Sequence, residues 1–82
     1  MIPERIEPSR DEVIMGFVAN CIQWAADEAH TDYLKMFQRM DKVGLIENYL
    51  MACYDTLHCE SRQNITRDVM ETLELWEKNE TR

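Results

Sequence analysis

The sequence has few residues that build turns, since only two glycines and two prolines occur among 82 residues. A protein of many short β-strands needs such residues at each turn, so a turn-rich β-protein is excluded. Hydrophobic runs are short as well, and none approaches the ~20 residues that a membrane-spanning helix requires. The length predicts one domain, and the hydrophobic fraction of 45% is too high for a disordered acidic tail.

Basic residues are also scarce: nine lysines and arginines stand against sixteen aspartates and glutamates, which gives a net charge of −7. Nucleic acids and anionic membranes attract clustered lysine and arginine, so we expect the chain to bind neither. One basic stripe follows helical spacing at Lys35, Arg39 and Lys42. We interpret it as a solvated face, although a DNA-binding regulator would have to use it.

The three cysteines, Cys21, Cys53 and Cys59, are odd in number and lack the paired spacings of disulfide frameworks or zinc sites. This pattern favours reduced thiols in the cytoplasm. The first residues carry charges without the apolar stretch of a secretory signal. We therefore expect a cytoplasmic protein with no metal site and no cofactor.

Hydrophobic periodicity predicts an all-α fold, a compact bundle or orthogonal array of four helices of which the second is short. Residues 1–8 hold both prolines and show no period, so we expect an extended lead-in there. A single helical domain should follow over residues 9–78, and residues 79–82 should form a frayed tail.

The first helix is predicted over about residues 10–28. Ser9 and Glu12 match a capping box, in which each side chain binds the backbone N–H of the other residue. The apolar residues of this helix fill an arc of roughly 180°, so more than one neighbour must cover it.

The second helix is predicted over about residues 32–40, with Thr31 or Asp32 as the N-cap. Its apolar residues repeat at helical spacing and should face inward. They are Tyr33, Met36, Phe37 and Met40.

The third helix has the clearest period and is predicted as one continuous element from residue 43 or 44 to 57, at the centre of the fold. Ser61 or Asn64 should cap the fourth helix, which is predicted to end near residue 77. Its apolar stripe is narrow, so we expect it to pack on one face only. The stripe consists of Ile65, Val69, Leu73 and Trp76, with Met70 at its side.

One candidate for chemistry lies at the end of the third helix. Asp55 and His58 are three residues apart, so a carboxylate could orient the imidazole as a base for Cys59. No glycine-rich loop, oxyanion motif or second base accompanies them. The simpler interpretation is that His58 binds the last carbonyls of the helix, so we name no catalytic residue.

Two further groups of residues remain. One lies on the fourth helix, and the other lies off the main apolar stripes. Glu71, Glu74 and Glu77 should form a solvated acidic row. Six methionines are many for this length, and methionine suits adaptable contact surfaces. The candidate interface residues are Met15, Ala19, Ala26, Met51 and Leu75.

The chain resembles a family of short bacterial proteins that is catalogued as a domain of unknown function. The most specific part of the resemblance is Tyr54-Asp55-x-Leu57-His58, followed by Asp68-Val69. Other parts are Phe17-Val18-x-x-Cys21-Ile22, Tyr33-x-x-x-Phe37 and Gly44-Leu45-Ile46-x-x-Tyr49-Leu50.

The resemblance implies an all-helical protein with no established activity, often encoded beside a protein that resembles ADP-ribosyltransferase toxins. We interpret its motif residues Tyr54, Asp55, Leu57, His58 and Asp68 as structural. Asp55 would bond to the start of the fourth helix, and Asp68 would pair with His58. We expect a non-enzymatic module that binds a protein partner or itself, the alternative being an enzyme or ligand binder that uses Asp55, His58 and Cys59.

Overall fold

The computed structural model describes residues 9–80, and within that range all regular structure is helical. The all-α prediction is therefore confirmed, whereas the predicted lead-in and the last two residues of the predicted tail lie outside the described range. In chain order the elements are α1 (Arg10–Glu28), α2 (Tyr33–Lys42), a π-helix (Ile46–Met51), α3 (Tyr54–Leu57) and α4 (Arg62–Glu80).

The start of α1 confirms the predicted capping box. The Ser9 hydroxyl accepts a hydrogen bond from the Glu12 backbone N–H at 3.2 Å, and the Glu12 carboxylate accepts from the Ser9 N–H at 2.9 Å. Two donors that the helix itself cannot satisfy are thus paired. The first turn also carries Asp11, whose negative charge favours the N-terminal end of the helix dipole.

The end of α1 is a sharp reversal centred on His30, whose φ of 57° lies in the left-handed region. The Thr31 N–H donates to the Ala26 carbonyl at 2.9 Å, and the His30 N–H donates to the Asp27 carbonyl at 3.2 Å. This is the hydrogen-bond pattern of a Schellman motif. It turns the chain so that α2 packs against α1.

Of the two N-caps predicted for α2, Asp32 performs the role, since its carboxylate accepts from the Lys35 N–H at 2.8 Å. Met36 and Met40 are fully buried, as predicted. The inward orientation predicted for Tyr33 and Phe37 is wrong, because their side chains are 38% and 37% exposed. The core covers only the Met36–Met40 edge of α2, and the flanking aromatic edge remains in contact with solvent.

The prediction of one continuous third helix is also wrong, because residues 46–51 are π-helical and α3 begins only at Tyr54. The apolar pattern that predicted it repeats every four residues. An α-helix turns by ~100° per residue, so such a stripe drifts by about 40° every four residues and leaves the core within three turns. The wider π turn takes up part of this drift. Leu45, Ile46, Leu50 and Leu57 remain buried as a result.

The fourth helix begins as predicted and ends later. The Ser61 hydroxyl accepts from the Asn64 N–H at 3.2 Å, which makes Ser61 the cap. The helix continues to Glu80, so Asn79 and Glu80 are helical rather than frayed. Its narrow stripe packs on α1 and is buried at Ile65, Val69 and Leu73.

The core is a buried cluster to which every element contributes, and α3 contributes only Leu57. Cys21 lies within it, whereas Cys53 is half-buried beside it. The buried residues are Val18, Cys21, Ile22, Ala25, Ala26, Met36, Met40, Leu45, Ile46, Leu50, Leu57, Ile65, Val69 and Leu73.

A bidentate ion pair joins α2 to α4. Arg39 donates from Nε and Nη2 to the two carboxylate oxygens of Glu77, at 2.9 and 2.8 Å. The hydrogen bonds from Arg39 lower the pKa of the Glu77 carboxyl below its ordinary value. The prediction that the basic stripe and the acidic row are both solvated is therefore wrong at these two residues, which bind each other.

Candidate functional site

The motif residues form a stack of side chains where α1 meets α3. The Tyr54 and His58 rings lie parallel, with centroids 4.4 Å apart and an angle of 7° between their planes. Phe17 meets Tyr54 edge-on at 5.2 Å, and the Arg10 guanidinium lies over the Tyr54 ring at 5.9 Å. These contacts fix α3 against the first half of α1, so the structural interpretation of Tyr54 agrees with its surroundings.

The orientation of His58 follows from its hydrogen bond to the helix. Its Nδ1 lies 2.7 Å from the Tyr54 carbonyl oxygen, and because a carbonyl only accepts, Nδ1 carries the proton. This is the carbonyl-binding role predicted for the residue. In the neutral ring Nε2 is then an acceptor, and it lies 3.8 Å from the Cys59 sulfur.

Asp55 is the third residue of the candidate group with His58 and Cys59, and its carboxylate has a different partner. One Arg10 nitrogen, Nη2, donates to both carboxylate oxygens of Asp55, at 3.0 and 3.2 Å, so Asp55 ties α3 to the start of α1. The predicted bond to the start of the fourth helix is wrong. Only the Asp55 backbone carbonyl approaches Cys59, at 3.7 Å from the sulfur. The structure thus brings His58 and Cys59 together, whereas the Asp55 carboxylate binds Arg10 instead.

The remaining motif residues have no visible chemistry. Leu57 is buried, with 5% exposure, and serves the core. The Asp68 carboxylate lies 3.6 Å from Arg67 Nε, and no hydrogen bond joins it to His58 within residues 9–80. The predicted Asp68–His58 pair is therefore not formed. Nor do the described residues contain a group of three or more metal-ligating side chains placed to hold an ion.

The predicted interface residues divide into two groups. Met15, Ala19, Met51 and Leu75 are exposed, with Met15 at 49% and Leu75 at 56%. Ala26 is fully buried, so its assignment to an interface is wrong. The Ala26 carbonyl accepts a hydrogen bond in the reversal at the end of α1, and α2 then packs on α1. This packing covers the small Ala26 side chain.

An exposed apolar surface on α2 escaped the sequence prediction. Tyr33, Leu34 and Phe37 are 38%, 61% and 37% exposed and lie on adjacent positions of the helix. We call this surface the α2 face. The signal was present in the sequence, because Leu34 lies outside the stripe formed by Met36 and Met40.

A second exposed surface lies on α4, around Leu75. A shallow depression of about 670 Å³ is bordered by Leu75 together with Glu71, Glu74, Glu77 and Lys78. Glu71, Glu74 and Leu75 are exposed, and Leu75 lies one helical turn after Glu71. We call Glu71, Glu74 and Leu75 the α4 face.

A groove of about 450 Å³ separates α1 from the first turns of α4. The Arg62 guanidinium lies 5.3 Å from the centre of the Trp24 ring and 3.8 Å from the Asp27 carboxylate. The lining includes two acidic residues, Asp27 and Glu28, and two basic ones, Arg62 and Arg67. Opposite charges therefore balance in the groove, which favours neither an anion nor a cation.

Comparison with known protein families gives a match to the model of the proteins of unknown function DUF3791, over residues 16–76. The chain belongs to the DUF3791 family. The match covers most of the chain and confirms the resemblance to a family of unknown function. In this DUF3791 protein the matched range contains the Tyr54–His58 stack, the α2 face and the α4 face.

No curated protein and no solved structure matches this DUF3791 chain. A search of the described residues found no helix that is long and apolar enough to cross a membrane.

Proposed function

We propose that this chain is a non-enzymatic helical module of the cytoplasm that binds another protein through the α2 face. The observation that supports the proposal is the adjacent exposure of Tyr33, Leu34 and Phe37 on one helix. Single exposed apolar residues are ordinary, whereas contiguous ones mark contact surfaces. Covering these three side chains would contribute on the order of 3 kcal/mol to binding, since full burial of one large side chain contributes roughly 1.5–3 kcal/mol.

The size and packing of the domain agree with such a role. Every element contributes to the core, and side chains at the surface hold α3, so the other described elements support α2 from its buried side. Aromatic residues are enriched at protein interfaces because a large ring contributes contact area with few rotatable bonds. Two of the three apolar residues of the α2 face are aromatic.

The family resemblance suggests one partner class, an enzyme that resembles ADP-ribosyltransferase toxins. An antitoxin-like or accessory role would follow if the α2 face covers part of such an enzyme. This DUF3791 chain would then act by occupying a surface, and no side chain of its own would take part in chemistry.

The test places a photo-crosslinking amino acid at position 34 in the source cells and identifies the proteins that become attached. The dissociation constant of each purified partner is then measured with the unmodified chain, with Leu34→Asp and with Met15→Asp. We expect Leu34→Asp to weaken binding at least tenfold, because a charge on the face must be desolvated. Met15→Asp, at a similarly exposed apolar residue of α1, should leave binding within about twofold. Equal affinities for the two variants would contradict the proposal.

A second candidate function, thiol chemistry at Cys59, is supported by the 3.8 Å approach of His58 Nε2 to the sulfur. His58 is held in one orientation by its Tyr54 hydrogen bond and its stacking, so it presents a fixed acceptor to the thiol. A base in this position can accept the thiol proton while the sulfur attacks a substrate. Neither groove described above borders this pair, so the substrate would bind at an open surface.

The alkylation rates of the three cysteines test this second function. Exposed Cys59 should react with iodoacetamide in the folded protein, and His58→Gln should lower its rate at neutral pH several-fold if the imidazole acts as a base. Cys21 should remain unmodified until the chain unfolds, because burial raises the pKa of its thiol to about 12. Mass spectrometry of timed samples measures each site. An unchanged Cys59 rate in His58→Gln would remove the second function.

A further inference from the structure

We infer that α3 and the residues beside it form a strap, residues 53–59, which opens as a unit while α1, α2 and α4 remain packed. The strap lies between the π-helix and the cap of α4. Leu57 is its single buried residue, Cys53 and Tyr54 are half-buried, and the others are exposed. A segment with so little buried surface opens at a lower free energy than the core beside it.

The backbone hydrogen bonds of the strap are local. The Leu57 N–H donates to the Cys53 carbonyl at 2.8 Å, and the His58 N–H donates to the Tyr54 carbonyl at 2.9 Å. Within residues 9–80, no backbone hydrogen bond joins the strap to α1, α2 or α4. A single helical turn is unstable by itself, because its first hydrogen bonds do not offset the ordering of several residues. The strap is therefore held closed by its side chains.

Three charged or aromatic contacts tie the strap to a distant part of the chain, and all of them reach the first half of α1. The Arg10 guanidinium binds the Asp55 carboxylate and also lies over the Tyr54 ring. Phe17 meets the same ring edge-on. Both members of the ion pair are largely exposed, so water and salt weaken their attraction. Arg10 makes two of the three contacts, so its replacement should favour the open strap.

The elements on both sides of the strap can stay folded when it opens. On one side, the Ser61 hydroxyl caps α4 by accepting from the Asn64 N–H, and this bond uses no residue of the strap. On the other side, the buried side chains of Ile46 and Leu50 hold the π-helix in the core. Of the buried residues, only Leu57 leaves the core on opening.

The strap also sets the position of His58. In the closed strap, the hydrogen bond to the Tyr54 carbonyl and the stacking on the Tyr54 ring hold Nε2 beside the Cys59 sulfur. Opening unwinds the turn that contains these residues, so Nε2 is no longer held there. The strap is thus a conformational device that controls whether the imidazole faces the thiol. The opening itself does not require that Cys59 has a chemical role.

Amide hydrogen exchange of the full chain, followed residue by residue by NMR, measures the opening of each backbone hydrogen bond. We expect the Leu57 and His58 amides to share one opening equilibrium and to exchange at least about 100-fold faster than the amides of Ile22 and Val69, after correction for intrinsic rates. Ile22 and Val69 lie in the buried stripes of α1 and α4. Low concentrations of urea should accelerate these two amides more than the strap, because global unfolding exposes more surface.

Two matched variants, Arg10→Gln and Arg62→Gln, separate local opening from global unfolding. Each arginine lies near a carboxylate and over an aromatic ring, but Arg10 ties the strap to α1 whereas Arg62 ties α4 to α1. Arg10→Gln should accelerate exchange of the Leu57 and His58 amides about threefold to tenfold, because its contacts are lost on opening. Arg62→Gln should leave these rates within about twofold, because its contacts persist in the open state.

Circular dichroism melting confirms that both variants are folded. The inference is overturned if the strap amides exchange as slowly as those of Ile22 and Val69, or if they have no protection at all. It is also overturned if the two arginine variants change the strap rates equally. The functions proposed above are decided by other measurements, the partner affinity of Leu34→Asp and the Cys59 alkylation rate of His58→Gln.

Discussion

Two residues of the described range, His30 and Gly44, have φ angles in the left-handed region, at 57° and 74°. Both lie just after a helix, where the chain must reverse. Glycine adopts such angles without strain, whereas a side chain crowds the neighbouring carbonyl. The reversal after α1 therefore contains a local strain that the reversal after α2 avoids.

His30→Gly should raise the free energy of unfolding by about 0.5–1 kcal/mol, because it removes this strain while the Schellman hydrogen bonds remain. Urea unfolding followed by circular dichroism measures the change. Gly44→Ala is the opposite control and should lower the free energy of unfolding by about 1 kcal/mol or more. Its new Cβ would also lie 2.9 Å from the Asn48 amide nitrogen, which must move aside. A destabilised His30→Gly protein would show that the imidazole itself contributes to the turn.

At the scale of the elements, α2 and α4 are coupled by the Arg39–Glu77 ion pair, whose side chains are 38% and 33% exposed. Its bidentate geometry makes it stronger than an ordinary surface pair. The two helices are joined through the chain only by way of the π-helix and α3. This pair is therefore a direct tie between elements that are distant in sequence.

A double-mutant cycle with Arg39→Met and Glu77→Gln should give a coupling of about 0.5–1 kcal/mol at neutral pH. The hydrogen bonds from Arg39 lower the pKa of Glu77 in the folded state, so the contribution is complete above the unfolded value of about 4.3. It is lost as the pH falls through the lowered folded value. Urea unfolding from neutral pH to about pH 2 follows this loss. A coupling that is unchanged in acid would contradict the assignment.

Helix boundaries were predicted well where the determining contacts are local. The capping box at Ser9 and Glu12 involves residues three apart, and so do the caps formed by Asp32 and Ser61. Each of these start signals is contained in a few neighbouring residues. The π-helix was missed because an apolar period of four residues fits several helical geometries, and the choice among them depends on what the stripe must pack against.

For the candidate sites, prediction from sequence succeeded for neighbours and failed for distant partners. The contact of His58 with the Tyr54 carbonyl spans four residues and follows from helical spacing. The partner of Asp55 is Arg10, forty-five positions earlier, and no local pattern indicates it. The start of the fourth helix and Asp68 are closer in sequence, but Asp55 does not bind the first and His58 does not bind the second.

For the whole molecule, the charge is unevenly distributed in a way that composition conceals. The net charge of −7 favours repulsion between copies at long range. Over a contact distance the local charges matter more, since salt screens exposed charges beyond about 10 Å at 0.1 M ionic strength. Basic residues gather on α2 and glutamates on α4, and the two groups meet within one molecule at the Arg39–Glu77 ion pair.

The amino-acid sequence alone predicts the all-α class, the starts of α1, α2 and α4, and most of the buried stripe, because caps and helical periods depend on residues a few positions apart. Packing between the helices determines that Ala26 is covered while Leu34 is not, and that Arg39 binds Glu77. One helix pattern permits several packings, since an apolar arc broader than a single neighbour can be covered from either side. The position of the other helices decides which edge stays in water, and for α2 that edge carries the proposed contact surface.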